Sequence, residues 1–182
     1  MNKGILLLLL VICTSFTNKK EQLYFDRFGQ IEFFSYTSVE NIQAVNKTVS
    51  TFINPDKKEI AVEVLMRAFK FKKSLMEEHF NESYIETDLY PRAQLEGDII
   101  DFEPNFEGTQ TRIVKGYLTL RGITKPIEVK AEITKTENGY TIKGELEVKI
   151  KDYEIKVPAL LSPNIAKKIQ VSFNFQYTPY EK

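Results

Sequence analysis

The sequence contains few of the residues from which catalytic and metal centres are usually built. Among its 182 residues there is one cysteine, Cys13, and one histidine, His79. A disulfide within the chain is therefore excluded, and so is a metal site of the usual kind made from several histidines. The chain also lacks a Gly-x-Ser-x-Gly elbow and a phosphate-cradling glycine loop. We predict no catalytic residues, no metal, no cofactor and no enzyme activity.

Neither sign of charge is in excess. The chain has 25 Lys and Arg and 25 Asp and Glu. Leaving out residues 1–17, whose only charge is Lys3, gives 24 basic against 25 acidic residues. A nucleic-acid-binding domain usually shows a basic surplus, so we predict no nucleic-acid partner. The length suits one domain with a core of its own.

No apolar run is long enough to cross a bilayer comfortably. The longest, Ile5–Cys13, follows Lys3 and precedes a polar stretch, Asn18–Gln22. This order is typical of an export signal, so we predict a signal peptide at 1–17 and a short linker at 18–26. We predict export to the periplasm or cell envelope. Ile12-Cys13 loosely resembles a lipobox, and the alternative is a lipoprotein signal whose Cys13 provides a lipid anchor and the only membrane contact.

The remainder of the chain alternates between apolar and polar residues, as β-strands with one buried face do. In the clearest case, Ile127, Val129, Ala131 and Ile133 alternate with Glu128, Lys130 and Glu132. Other inward sets are Ile31 and Phe33; Val45, Val49 and Ile53; Ile60, Val62, Val64, Met66 and Ala68; and Ile169 to Tyr177 at odd positions. About eight strands joined mostly by short loops predict an antiparallel all-β fold. A barrel and a two-sheet sandwich both fit this pattern.

One segment departs from the strand pattern. Leu75, Met76, His79 and Phe80 fall on one face of a short helix, which we predict near residues 74–82. Four glutamates surround His79, at positions 77, 78, 82 and 86. They could bind an oxygen-preferring cation, but a charged helix face is the commoner meaning of such a pattern, so we assign no metal. The apolar residues form either a lid over a cavity or a plug in the barrel.

Several blocks of the sequence resemble the YceI-like family of lipid- or polyisoprenoid-binding proteins, in its Bacteroidetes-type branch. The resemblance spans Arg27 to Tyr177 and is densest at Leu75–Glu86 and Tyr90–Ala93. The block around His79 and the block Leu118–Thr124 are specific to the family when they occur together. It implies a lipocalin-like barrel over 27–179, an exported location and an apolar or amphiphilic, isoprenoid-like ligand in the lumen. Small residues on or near inward positions, Ala44, Ala68, Gly116, Ala131 and Gly144, suggest room for that ligand. A filled core is the alternative.

We predict that the ligand contacts side chains of the lumen and of the lid. These are Phe33, Ala44, Val62, Val64, Met66, Phe71, Leu75, Met76, Phe80, Leu118, Val129, Ala131, Leu146, Val171 and Phe173. The leading functional hypothesis is an exported carrier that holds one lipid without changing it. The alternatives are a stress-linked envelope interaction protein with a filled barrel and an envelope hydrolase or isomerase. The oligomeric state, monomer or homodimer, stays open.

Overall fold

The computed structural model describes residues 21–37, 41–157 and 165–181, so the predicted signal segment lies outside the described residues. The described residues form nine strands: β1 (Tyr24–Ser35), β2 (Ile42–Asn54), β3 (Glu59–Leu65), β4 (Lys70–Phe71), β5 (Arg92–Ile100), β6 (Thr109–Leu120), β7 (Ile123–Thr136), β8 (Gly139–Lys149) and β9 (Lys168–Pro179). One α-helix, α1 (Ser74–His79), continues into a π-helical turn at Phe80–Tyr84. Short 3₁₀ turns occur at Met66–Ala68 and Ile150–Tyr153.

Eight of these strands close into a barrel. Their order is β1-β9-β8-β7-β6-β5-β3-β2, and β2 pairs again with β1. All of these pairings are antiparallel, and the two-residue β4 pairs with Ala44 and Val45 at the start of β2. The predicted eight-stranded antiparallel barrel with a short helical insertion is therefore confirmed, and the sandwich alternative is excluded. Closure leaves no long strand edge exposed.

Because neighbouring strands run in opposite directions, their connections alternate between two ends of the barrel. One end carries the long connection 66–91, the turn at 121–122 and the turn Ile150–Tyr153; we call it the mouth. The other end carries the connections 55–58, 101–108 and 137–138; we call it the floor. None of the helices among the described residues is long and apolar enough to cross a membrane.

The predicted faces are confirmed on most strands. On β7, Val129, Ala131 and Ile133 are buried, while Glu128 and Lys130 are exposed. Strand β1 starts at Tyr24, inside the predicted linker 18–26, because Tyr24 and Phe25 pair with Ile53 and Phe52 of β2. The barrel thus begins three residues before the predicted boundary at Arg27.

The prediction for β2 was wrong in part, because the pairing of β1 with β2 is irregular. The register shifts between Asp26 and Gly29 and again between Gly29 and Ile31. Such an irregularity moves side chains from one face to the other. Val49 and Ile53 are fully buried as predicted, but Asn46 takes a buried position in place of Val45.

Polar side chains satisfy the backbone around this irregularity. The Asp26 carboxylate accepts hydrogen bonds from Phe28 N (2.8 Å) and Gln176 N (2.7 Å). Asn46 Nδ2 donates to Leu65 O (2.9 Å), and its Oδ1 accepts from Thr48 N (2.9 Å). These bonds replace missing ladder bonds, which explains why an aspartate and an asparagine are buried in the wall.

The third strand also ends earlier than predicted. Ile60, Val62, Val64 and Met66 are buried, but the strand stops at Leu65 and a 3₁₀ turn follows. Ala68, predicted to face inward, lies in that turn and is half-buried.

At the floor the interior is filled by aromatic rings. The Tyr140 ring lies 5.0 Å from that of Tyr24 and 5.9 Å from that of Phe102, and Phe106 packs on both Phe102 and Tyr140. Tyr177 is buried, and its hydroxyl lies 2.7 Å from Thr51 Oγ1. Thr51 in turn donates to Ala61 O (2.8 Å), so the Tyr177 hydroxyl is the donor to Thr51.

Candidate functional site: an apolar cavity opening at the mouth

Between the floor and the mouth the barrel encloses a cavity of about 430 Å³. All eight barrel strands contribute side chains to its wall, together with β4, α1 and the π-helical turn. The wall is overwhelmingly apolar. A volume of this size lies within the range of small-molecule sites, roughly 300 to 1,000 Å³. The interior is thus packed at one end and open at the other.

The few polar side chains of the wall lie in its mouth half. Ser35 ends β1, Gln94 stands near the start of β5, and Lys73, His79 and Tyr84 belong to the 66–91 connection. No aspartate or glutamate is among the described residues that line the cavity. The deeper wall, with Ile60, Val114, Ile142 and Phe175, offers only hydrocarbon contacts.

The structure brings thirteen of the fifteen predicted ligand-contacting residues to the wall of this one cavity. They are Phe33, Val62, Val64, Met66, Phe71, Leu75, Met76, Phe80, Leu118, Val129, Leu146, Val171 and Phe173. Their placement follows from strand alternation, since each strand residue among them points inward. Whether they bind a ligand stays a prediction.

The other two predicted residues, Ala44 and Ala131, do not line the cavity, although both are buried in the apolar core. The reasoning from small residues was wrong for Gly144 as well. A Cβ at position 144 would lie 2.5 Å from Phe173 Cζ and 2.7 Å from Lys130 O. Gly144 is small because the Phe173 ring of its cross-strand partner covers it.

Gly116 has a similar explanation. It pairs with Gly97 across β5 and β6. A Cβ at position 116 would lie 2.2 Å from Glu96 O. This distance is too short for any side chain, so only glycine fits here unless the backbone moves. This glycine pair allows two backbones to approach closely, and it contributes nothing to the cavity volume.

Four phenylalanine rings attach the helical segment to the cavity wall. Phe80 packs on Phe33, Phe69 and Phe71, with ring centroids 5.5, 5.7 and 5.1 Å apart. Phe80 is buried, so it anchors the segment rather than acting as a mobile lid. Leu75, which is 58% exposed, and Met76 lie at the rim, where a lid would contact an entering ligand.

Arg121 connects three parts of the mouth. Its guanidinium pairs with Glu86, donates to Glu154 O (2.8 Å) and lies 5.4 Å from the centre of the Tyr90 ring. The arginine side chain is mostly buried, so its ion pair with Glu86 is partly shielded from water. It holds the 66–91 connection against the turns at 121–122 and Ile150–Tyr153.

The glutamates near His79 do not gather around it. Glu77 accepts from Lys70 Nζ (2.7 Å) and from Phe71 N (3.3 Å), and the hydrogen bond from Lys70 lowers the pKa of that carboxyl. Glu86 pairs with Arg121. Within the described ranges, no group of three or more His, Cys, Asp or Glu side chains is placed to hold a metal ion.

Several wall residues were not predicted from the sequence. Phe69, His79 and Tyr84 are the most informative, since they come from the irregular connection at the mouth. The alternation of apolar and charged residues in Phe69-Lys70-Phe71 could have indicated that Phe69 faces inward. Burial raises the pKa of the Tyr84 hydroxyl, as expected for a phenol held against an apolar wall.

Known structures share this architecture. A polyisoprenoid binding domain from Saccharophagus degradans, implicated in plant cell wall breakdown, superimposes with a TM-score of 0.75 at 13% identity, covering 88% of this chain and 100% of that one. BcnA from Burkholderia cenocepacia gives 0.68 at 16% identity, with 80% and 94% covered. The YceI protein of Campylobacter jejuni gives 0.62 at 15% identity, with 81% and 90% covered.

These identities are low, so the likeness to solved structures concerns the fold. Comparison with curated proteins gives no match. The sequence itself matches the YceI-like domain over residues 18–177, which is most of the chain. The protein therefore belongs to the YceI-like family.

Proposed function

We propose that this protein is a carrier that holds one apolar or amphiphilic lipid, isoprenoid-like in character, inside its barrel without changing it chemically. The observation that carries the proposal is the cavity of about 430 Å³, whose described wall is apolar except for a few polar side chains near the mouth. Burial of a lipid tail against such a wall is favourable in proportion to the apolar area removed from water. The polyisoprenoid binding domain named above has the same fold, which supports this ligand class.

Catalysis is not part of the proposal. The described wall includes no aspartate or glutamate, so it offers no pair of carboxylates of the kind that many hydrolases use. The competing hypothesis of an interaction protein with a filled barrel is disfavoured by the cavity itself. The ligand would be held by shape and apolar contact, with the rim residues Leu75 and Met76 closing over it.

The test is direct identification of lipid in the purified protein by mass spectrometry of its organic extract. Leu118→Trp should fill the cavity and reduce the extracted lipid. Tyr117→Trp is the matched control, since Tyr117 is the adjacent residue on β6 and is 62% exposed on the outer face. Absence of lipid from the parent protein, together with failure to bind an added apolar probe, would end the carrier hypothesis.

We further propose that the protein is exported. The support is the order of Lys3, the apolar run Ile5–Cys13 and the polar stretch after it. N-terminal sequencing of envelope-fraction protein should find a chain starting between residues 13 and 22. If Cys13 is the acylated first residue, labelled fatty acid should enter the parent protein but not the Cys13→Ala variant. An intact Met1 would contradict export.

A further inference from the structure

Two polar side chains of the cavity wall have no partner in the described part of the chain. Neither His79 nor Tyr84 makes a hydrogen bond, ion pair or ring contact with another described residue. The other polar wall residues differ. Ser35 Oγ accepts from Ala166 N (3.0 Å), Gln94 Nε2 donates to Glu63 (3.3 Å), and Lys73 also interacts within the chain. Of the polar wall residues, His79 and Tyr84 are therefore the two whose side chains make no polar contact with a described residue.

An unusual backbone conformation places these two side chains on the wall. After α1 the chain makes one π-helical turn, closed by a hydrogen bond from Ile85 N to Phe80 O (2.9 Å). In a regular α-helix, residues five positions apart point about 140° away from each other. The wider turn lets both His79 and Tyr84 contribute to one cavity. Single π-helical turns occur frequently at functional sites.

The turn is held in place by its surroundings. Phe80 is fixed by Phe33, Phe69 and Phe71, Asn81 Nδ2 donates to Glu77 O (2.9 Å), and Thr87 N donates to Asn81 O (2.8 Å). The backbone that carries His79 and Tyr84 is thus fixed by contacts on both sides of the turn. A site whose backbone is held in this way is partly organised before its ligand arrives.

His79 and Tyr84 are half-buried, so water can reach them; a pure hydrocarbon ligand that displaced this water would leave both groups unpaired, which is unfavourable. A ligand with an oxygen at one end would satisfy them, because an imidazole N–H and a phenolic O–H both donate hydrogen bonds. We propose that His79 and Tyr84 form a head-group subsite, and that the ligand is an amphiphile whose carboxylate or carbonyl oxygen they bind at the mouth while its tail fills the cavity. This inference rests on the proposed carrier function and adds the head-group chemistry and the orientation of the ligand.

The test compares two fluorescent probes on each variant. Diphenylhexatriene is purely apolar, whereas cis-parinaric acid combines an apolar tail with a carboxylate. His79→Leu and Tyr84→Phe should each weaken cis-parinaric acid binding by about three- to tenfold, the loss expected for one hydrogen bond, and leave diphenylhexatriene binding unchanged. His79→Gln, which keeps an N–H donor, should retain most of the affinity for the acid.

Tyr153→Phe is the matched control, since Tyr153 is buried at the same end but does not line the cavity. This variant should bind both probes with the affinity of the parent protein. Equal weakening of both probes by His79→Leu and Tyr84→Phe would show that these residues only shape the cavity, and no change with either probe would show that they do not contact the ligand; both results overturn the subsite. If the parent protein binds neither probe, the carrier function itself fails, so the two failures are distinguishable.

Discussion

The floor and the mouth of this barrel are built from the same eight strands, but the interior is packed at the floor and contains a cavity toward the mouth. At the floor, the connection 101–108 brings Phe102 and Phe106 onto Tyr140, and the rings fill the space between strands. At the mouth, the connection 66–91 also supplies aromatic rings, but Phe69, Phe71 and Phe80 pack sideways onto Phe33 and leave the interior open. Stability is therefore concentrated at one end and the cavity at the other.

This division explains how a small barrel can keep a cavity in its interior. An unfilled apolar space forfeits packing contacts and so lowers stability. Here the loss is offset by dense packing at the floor, by closure of the sheet and by the contacts of Arg121 across the mouth. If the comparison is correct, equivalent substitutions should be costly at the floor and tolerated around the cavity.

The largest expected effect is at the floor. Phe102→Ala should lower the free energy of unfolding by about 3–5 kcal/mol, because it removes a fully buried ring from a packed cluster. Leu146→Ala, at the half-buried cavity wall, should cost only about 1–2 kcal/mol, since it loses fewer contacts. Urea unfolding of both variants measures the difference. Equal losses would show that the interior is packed alike along its length.

A pair of alanines gives the second test. Ala131 is fully buried outside the cavity, and Ala131→Leu should overpack the core at a cost of about 1–3 kcal/mol while leaving probe binding unchanged. Ala93 lines the cavity, so Ala93→Leu should change stability by less than about 1 kcal/mol and reduce the bound lipid. Thermal unfolding and lipid extraction on the same preparations measure the stability and the bound lipid of each variant. Loss of lipid with Ala131→Leu alone would reverse the assignment.

The strands could be predicted from the sequence because alternation is a local property. The faces of β7 follow from Val129 and Ile133 on one side and Glu128 and Lys130 on the other, and both faces are as predicted. The face of β2 could not be predicted at Asn46, since its burial depends on bonds to Leu65 O and Thr48 N that lie outside any local pattern. Periodicity also could not separate barrel from sandwich.

The cavity was predictable only in outline. Thirteen wall residues could be predicted from inward alternation and from the predicted helix. Whether space remains between them depends on the total side-chain volume compared with the volume of the lumen, which the pattern of a single strand does not give. Gly144 suggested space and instead accommodates Phe173. His79 and Tyr84 were not predicted to share one wall because an α-helix would point their side chains in different directions. A π-helical turn has no recognisable sequence pattern, so it could not be predicted.

The third prediction concerns the buried hydroxyl at the floor. Tyr177→Phe should cost about 1 kcal/mol at neutral pH, since it removes the hydrogen bond to Thr51. Burial raises the pKa of the Tyr177 hydroxyl above its ordinary value of about 10. The stability that this group contributes is therefore fully present below about pH 10 and is lost as the pH rises further.

A phenylalanine cannot ionise, so stability of the Tyr177→Phe variant should decline less steeply above about pH 10 than that of the parent. Some decline should remain, because burial also raises the pKa of Tyr140 and Tyr153. Urea unfolding at several alkaline pH values measures both slopes. If the stability of parent and variant declined equally with pH, the Tyr177 hydroxyl would be accessible to solvent in the folded protein, and the floor would be less densely packed than described.

The smallest effect on stability is expected at the rim, where the effect on the ligand should nevertheless be specific. Leu75 is 58% exposed and lines the cavity, while Leu89 is 70% exposed in the same connection and does not line it. Either change to alanine should alter the free energy of unfolding by less than about 0.5 kcal/mol. Only Leu75→Ala should speed the release of bound diphenylhexatriene, by about two- to fivefold, because it removes apolar contact from the opening. Stopped-flow dilution of the loaded protein gives these rates, and equal release from both variants would show that the opening lies elsewhere on the barrel.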